Sequence, residues 1–402
     1  RFSVSKKTSI VLAYSGGLDT SIILHWLKEN YNADIIAYIA DLGQGENLKS
    51  IAKRAKKVGA KKVYVENLRN EFVKDYIFPM IQASSVYEGN YLLGTSIARP
   101  LIAKRQIEIA KKEKSFAVSH GSTGKGNDQI RFELSFKALN PGIEIIAPWR
   151  IWNLNSREDC IKYARKNKIS VPVTKSKPYS CDRNIYHISY EGGVLEDPWT
   201  EPPKDMYESV RLLENTPDKA TNITLTFKAG VPISLNNKKF SPVALLEQLN
   251  TLGGKNCVGV VDIVEHRFFG MNSSGVYETP GGTILNIAHR AIESLTMDRE
   301  VMHIRDSLIP KISQLIYNGF WFSPEMSSIM AFIKESQKNI SGDVRLKIFK
   351  GNVVVSGRKS KFSLYNSNLA TFEEDNLYDQ KDATGFIKLN SLRLILDKIK
   401  NK

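Results

Sequence analysis

From Ser9 to Arg150 short apolar, β-branched runs alternate with longer amphipathic stretches, the sequence form of a parallel sheet built from βαβ units. Five strands are predicted, over Ile10–Tyr14, Ile35–Ile39, Lys62–Val65, Phe116–Ser119 and Glu144–Ala147, each an apolar run bounded by polar or glycine-containing segments. Helices fill the intervals. The first is expected to begin near Asp19-Thr20-Ser21 and to bury Ile22, Ile23, Trp26 and Leu27 along one side. A second, Glu46–Gly59, ends at a glycine suited to a C-cap, and a third follows Thr95-Ser96 with Pro100 in its first turn, where a missing N–H is harmless. Ser156 is a candidate cap for a further helix reaching Lys168.

Past the proline-containing stretch Val171–Pro178, which reads as a linker, the pattern changes. Ile223–Phe227 alternates as a strand, Val243–Leu252 reads as a helix and Cys257–Val264 as extended chain, while Val344–Phe349 and Val353–Val355 flank Gly351-Asn352 as a hairpin. Near the end Leu392, Ile395, Leu396 and Ile399 fall at i, i+3, i+4 and i+7 on a helix expected to start after Asn390. Such a stripe must be covered, by the parent domain or by another subunit. The expected fold class is α/β: a Rossmann-like parallel-sheet nucleotide-binding domain over residues 1–170, a second mixed α/β domain over 171–380, and a C-terminal helix over 381–402.

Composition narrows the class without naming a function. A chain of 402 residues has room for two or three domains of about 150 residues each. Its 42% apolar and 25% charged residues exclude disorder, collagen and coiled coil, and runs such as Ile22–Leu27 fall far short of the roughly 20 residues of a membrane span, so no membrane partner is expected. A formal charge of +15 could serve a nucleic acid, yet the basic residues sit in short runs, Lys53-Arg54 with Lys56-Lys57 and Lys111-Lys112 with Lys114, on predicted helices. Solvated faces are the simpler reading, and no nucleic-acid partner is expected. The three cysteines, Cys160, Cys181 and Cys257, are far apart and form no C-x-x-C, which points to a reducing, cytoplasmic setting without disulfides or structural zinc. Arg1–Lys7 lacks the apolar centre of a secretory signal; a removed presequence stays open.

The strongest chemical signal is Ser15-Gly16-Gly17-Leu18-Asp19-Thr20-Ser21, between the first strand and the first helix. Two glycines let the backbone bend its N–H groups onto an anion, the helix adds its positive end, and Ser15, Thr20 and Ser21 add hydroxyls. A Walker A loop is absent, because Ser119 and not glycine stands five positions before Gly124. A second loop, Ser119 to Arg131, follows the fourth strand and should emerge on the same rim. Gly121, Gly124 and Gly126 permit close backbone approach, and Thr123, Asn127, Asp128 and Arg131 supply the donors, acceptor and cation to grip an amino acid's ammonium and carboxylate.

The first loop resembles that of the pyrophosphate-loop ATPases, S-G-G-x-D-[ST], which implies adenylyl transfer with cleavage between the α and β phosphates. With Tyr91 to Pro100, Tyr179-Ser180, His187 to Glu191, Val264 to Phe268 and Tyr277 to Pro280 added, the chain resembles the argininosuccinate synthases from about Val11 to the terminal helix. That resemblance implies ATP-dependent joining of citrulline and aspartate into argininosuccinate, AMP and pyrophosphate, with Mg²⁺ offsetting phosphate charge, a synthetase role for the second domain, and a homotetramer assembled through the C-terminal helix. It places ATP against Ala13, Tyr14, Ser15, Gly16, Gly17, Leu18, Asp19, Thr20, Ser21, Ala40 and Gly121. It places citrulline against Tyr91, Ser96, Asn127, Arg131, Ser180, Ser189, Glu265 and Tyr277, and aspartate against Thr123, Asn127 and Asp128. Asp128 is then expected to orient the aspartate ammonium and help remove its proton, with Arg131 on a citrulline carboxylate and Glu265 on its ammonium. A tRNA-modifying member of the loop family is the rival, although its thiolating members commonly use paired cysteines that this chain lacks. His120, His187 and His266 show no metal-ligand spacing and read as structural or substrate-adjacent, Cys181 reads as inert, and no metal ligands are expected.

Overall fold

The computed structural model describes residues 8–154, 156–169, 178–366 and 379–400; the expected linker, apart from Pro178, lies outside them. The first half runs β1 (Thr8–Ala13), α1 (Leu18–Asn30), β2 (Ala33–Asp41), α2 (Leu48–Val58) and β3 (Lys62–Asn67). A helical run follows, in which α3 (Arg69–Phe72) and α4 (Phe78–Gln82) flank a π turn, Val73–Ile77; then come α5 (Gly94–Glu113), β4 (Ala117–Ser119), α6 (Asn127–Leu139), β5 (Glu144–Ile146) and α7 (Arg157–Lys166). The five strands pair in parallel in the order β3-β2-β1-β4-β5. Alternation along β1 divides the core: Ile10 and Leu12 pack with Ile22, Ile23 and Leu27 of α1 and Cys160 of α7, whereas Val11 joins the opposite cluster with Ile97 and Leu101 of α5. The order in which strands are added to the sheet reverses between β1 and β4, and at such a switch point the loops diverge and leave a crevice.

The second half contributes β6 (Ser180–Arg183), β7 (Ile188–Glu191), β8 (Thr221–Lys228), β9 (Val231–Leu235), β10 (Lys238–Lys239), α8 (Pro242–Lys255), β11 (Val260–His266) and β12 (Asn272–Glu278). It continues with α9 (Pro280–Thr296), α10 (Arg299–Asn318), α11 (Pro324–Ser336), β13 (Gly342–Phe349), β14 (Asn352–Lys359) and α12 (Asp382–Lys400). Two antiparallel sheets result, β11-β12-β7-β6 and β10-β9-β8-β13-β14. The cluster containing Val11 continues without a break into Leu225, Leu246, Ile284 and Ile348, so one apolar core ties the halves together.

Three local expectations are corrected. Leu93, in a left-handed conformation with φ 61°, starts α5 at Gly94, so Pro100 falls in the second turn and denies the Ser96 carbonyl its helical donor. Cys257, at φ 58°, belongs to the turn closing α8, where the Val258 N–H donates to the Gly253 carbonyl at 2.9 Å, and the strand starts only at Val260. The terminal helix begins at Asp382, well before Asn390. Its stripe of Leu392, Ile395, Leu396 and Ile399 is exposed, as are Phe386, Ile387 and Leu389. Among the described residues no helix is long and apolar enough to cross a membrane.

Candidate active site

The first loop forms where the strand, glycine and helix order requires. Ser15 leaves the carboxyl end of β1, Gly16 takes φ +81°, a conformation that residues with side chains rarely adopt, and Gly17 enters α1 as its extended N-cap. No side chain caps α1, so its positive end faces the loop, with Leu18 and Asp19 in its first turn. Ser15 Oγ lies 3.1 Å from Thr20 Oγ1, the Tyr14 hydroxyl lies 2.9 Å from Ser21 Oγ, and Arg54 of α2 donates to the Gly16 carbonyl. Hydroxyls, a helix end and a guanidinium make this an anion cradle. Ala40, near the carboxyl end of β2, accepts a 2.8 Å bond from Gln44 Nε2 at its carbonyl.

The second loop leaves β4, the neighbour of β1, and packs on the first: a β-carbon on Gly121 would stand 2.7 Å from Thr20 Cγ2. It ends at Gly126, which starts α6, again without a side-chain cap. Facing this loop is the sheet β11-β12-β7-β6. Its register sets Asp182 opposite Ser189, Ser189 opposite Tyr277 and Tyr277 opposite Val261. Side chains alternate along strands, so Ser180, Asp182, Ser189, Tyr277 and Glu265 share one face. Between loop and sheet lies a cleft of about 240 Å³.

That cleft brings together Tyr91, Gly121, Thr123, Asn127, Asp128, Arg131, Ser189, Glu265 and Tyr277 from the sequence-derived set. Of the residues expected to meet citrulline or aspartate, two stand apart from its lining. Ser96 is fully buried, because Thr95 and Arg99, four residues apart on α5, take the cleft-facing side of that helix. Ser180 shares the sheet face but sits exposed at the start of β6, in register with Glu191.

Charge is concentrated around Asp128. Arg99 donates to its Oδ2 from Nε at 2.9 Å and from Nη2 at 2.7 Å and also reaches Asp182, while Arg131 Nη1 meets its Oδ1 at 2.8 Å. Burial alone would raise the Asp128 carboxyl, but the two guanidinium groups outweigh it and hold the carboxyl down at about 2. So weak a base is better fitted to hold an ammonium as an anion than to take up its proton. Arg131 is fixed from behind by the Tyr317 carbonyl, 2.7 Å from Nε, and by the Tyr317 ring, whose centroid is 4.9 Å from the guanidinium carbon.

Glu265 has the opposite character. It is buried, its Oε2 has no hydrogen-bond partner among the described residues, and burial raises its carboxyl above the usual carboxylate range despite the nearby Arg131. An acceptor left open in this way suits an incoming ammonium. The cleft floor is aromatic, with Tyr91 and Tyr277 at 4.4 Å between ring centroids and His187 stacked on Tyr277 at 6.0 Å. Burial, with Arg99 adding to it, depresses His187 to about 3 and keeps it neutral, and its Nε2 lies 2.8 Å from Thr95 Oγ1. Gly94 makes this packing possible, since a β-carbon there would fall 2.2 Å from the His187 ring. Asn127 Oδ1 accepts the Phe268 N–H at 3.2 Å, joining α6 to the β11–β12 hairpin.

Sequence reasoning missed Thr95, Arg99 and Asp182. Thr95 and Arg99 lie in a stretch already singled out, and their i, i+4 spacing put them on one helix face; Asp182 follows Ser180 by two and so shares its strand face. Cys181 is exposed, with Arg183 Nη2 3.9 Å from its sulfur. Among the described residues no group of three His, Cys, Asp or Glu could hold a metal ion.

Comparison with known proteins completes the description. Residues 9–170 match the family model of the arginosuccinate synthase N-terminal HUP domain, and residues 179–396 that of the arginosuccinate synthase C-terminal domain. The chain is 58% identical over 393 residues to the argininosuccinate synthase of Desulfatibacillum aliphaticivorans, covering 98% of each. It is 58% identical over 395 residues to that of Syntrophotalea carbinolica, covering 97% of each, and 56% identical over 395 residues to that of Nitratiruptor sp., covering 98% of each.

Proposed function

The chain belongs to the argininosuccinate synthase family, carbon–nitrogen ligases that convert ATP to AMP and pyrophosphate, and we propose how its own cleft performs that reaction on citrulline and aspartate. The observation that carries the proposal is the contact of Thr20 with Gly121, which sets an anion cradle against a cleft lined for amino acids. ATP lies along Ala13–Ser21, Ala40 and Gly121, its β and γ phosphates over Gly16 and the start of α1. Citrulline lies on Tyr91 and Tyr277, its carboxylate toward Arg131 and its ammonium toward Glu265, with Asn127, Ser189, Ser96 and Ser180 completing the site. Aspartate takes Thr123, Asn127 and Asp128.

A ureido carbon resists amine attack because its oxygen is a poor leaving group. In the first step the citrulline oxygen attacks the α phosphorus, the bond to the β-phosphate oxygen breaks, and pyrophosphate departs into the cradle, whose fixed N–H groups and hydroxyls meet the charge that develops there. In the second, the aspartate ammonium passes one proton to solvent water, its amine attacks the activated carbon, and AMP leaves with the former ureido oxygen. Asp128 orients the amine by charge and hydrogen bonding. Mg²⁺ is proposed as the counter-ion carried in on the ATP phosphates; the described residues offer it no cage of their own, and no step passes through it.

The same reading assigns residues 1–170 to the nucleotide-binding domain, 171–380 to the synthetase domain and 381–402 to a helix that joins subunits of a homotetramer in the cytoplasm. The uncovered apolar stripe of α12 supports that assembly. The tRNA-modifying alternative is not favoured, since relatives matched over almost the whole chain are argininosuccinate synthases. Release of AMP and pyrophosphate that requires citrulline and aspartate together tests the proposal; release with either one alone, or with neither, overturns it.

A further inference from the structure

His120 is fully buried, carries no role in the chemistry above, and stands at the root of the loop from Gly121 to Gly126. Its Nδ1 accepts the Ser122 backbone N–H at 3.2 Å. Accepting there requires a lone pair on Nδ1, so in the neutral ring the hydrogen sits on Nε2. Nε2 faces Glu133 Oε1 of α6 at 3.0 Å and donates to it. Glu133 is held in turn by Arg150, with contacts of 2.6 and 3.0 Å. Arg150 also donates to Gln129 Oε1 at 2.8 Å, and Gln129 Nε2 reaches the Gly126 carbonyl at 3.2 Å. One chain of bonds thus grips the loop near both ends, and Thr123 lies between the two grips.

Resting on the reading proposed above, we infer that His120 is a positioning residue that fixes Ser122 through its unprotonated Nδ1 and so presents Thr123 to aspartate, with Glu133 and Arg150 fixing the ring. A loop with three glycines in six residues has many conformations to lose, and a site that needs one of them must have it held. His120 itself touches no substrate. Its effect should fall on aspartate more than on citrulline, whose proposed contacts come mainly from the opposite sheet, with Arg131 of α6 held separately by Tyr317.

Two substitutions separate the ring's two nitrogens. In His120→Asn the side-chain oxygen takes the Nδ1 position and keeps the Ser122 bond; in His120→Gln the amide takes the Nε2 position, keeping Glu133 and losing Ser122. The KM of each substrate and kcat are measured on the purified full chain, with melting temperatures alongside. The expected result is an aspartate KM raised about tenfold or more in His120→Gln and within about threefold of the parent in His120→Asn, with the citrulline KM within about threefold in both. Should the buried variants fail to fold, Arg150→Ala, which alters a half-exposed side chain, is expected to raise the aspartate KM severalfold. Equal aspartate KM values in His120→Gln and the parent, parallel rises for all three substrates, or an unchanged aspartate KM in Arg150→Ala overturn the inference. A parent chain without citrulline- and aspartate-dependent AMP release overturns the functional reading instead, so the two failures are distinct.

Discussion

Thr20 and Gly121 meet with no room for a methyl group between them, since a β-carbon on Gly121 would stand 2.7 Å from Thr20 Cγ2. The intruding atom is one methyl, which makes the contact reversible by design. Gly121→Ala is expected to raise the ATP KM about tenfold or more by pushing the two loops apart, at the cost of about 1–3 kcal/mol typical of overpacking. Adding Thr20→Ser removes Cγ2 and retains the hydroxyl, and should recover most of the loss. ATP KM values of the single and double variants check this.

Asp128→Asn leaves the cradle in place, and Arg131, proposed to meet citrulline, keeps its hold on the Tyr317 carbonyl and ring. It is expected to preserve citrulline-dependent exchange of pyrophosphate into ATP while lowering argininosuccinate formation about a hundredfold or more, by loss of a charge-assisted bond to the amine. Unchanged turnover would remove Asp128 from the second step.

The pH response of Asp128 has a definite sign. Its folded-state carboxyl is held at about 2 against an ordinary 3.8, so its contribution to stability is fully present above about 3.8 and is lost as pH falls through 2. In Asp128→Asn, acid unfolding should lose part of its steepness in that window alone. Denaturant midpoints between pH 2 and 6 test it.

Glu265 titrates the other way. Burial raises its carboxyl above the ordinary 4.5, so stability falls as pH climbs from 4.5 through the raised value, and the full cost of the buried charge persists above it. Citrulline's ammonium needs the charged form, and the citrulline KM should fall as pH climbs through this interval. Glu265→Gln is expected to flatten that dependence and raise the KM about ten- to a hundredfold, the range for a hydrogen bond between charged groups. Citrulline KM against pH in the two proteins decides it.

Glu278 is fully buried and gathers five donors: the N–H groups of Glu208, Ser209 and Val210, the Ser209 hydroxyl and the Tyr190 hydroxyl. Removing the carboxylate strands them all. Glu278→Ala should cost at least about 3 kcal/mol, because each orphaned buried donor carries a penalty of roughly 1–3 kcal/mol. Urea unfolding gives the value.

Deleting residues 382–402 removes the exposed stripe of α12. The shortened chain is expected to sediment as a smaller species than the full chain; identical sedimentation would show that assembly rests on other surfaces.

The parallel sheet was legible because its central strands β1, β2 and β4 are largely buried and read as near-continuous apolar runs. The helices α9, α10 and α11 were not. Pro280-Gly281-Gly282 has the composition of a turn, yet these residues are buried in the first turn of α9, and Pro310 interrupts α10 without ending it. Tertiary packing overrides local preference at both places. The phosphate loop could be read from seven consecutive residues, whereas the partnership of Arg99 with Asp182 spans 83 positions, and local spacing, which marks a shared face for each, cannot show that the two meet. Ser180 and Ser96 show the converse: a motif names a position, but strand register and helix face decide where its side chain lies.

At Gly94 the two halves of the molecule press together, the His187 ring packed on bare backbone behind the amino-acid cleft, where an added β-carbon would fall 2.2 Å from the ring. Any side chain at that point would work as a wedge, prying apart surfaces that substrates must bridge, although it would touch no substrate. Saturation mutagenesis should accordingly report a spot of intolerance beneath the cleft, mistakable for catalysis, whose cause is a seam too thin to admit a carbon atom.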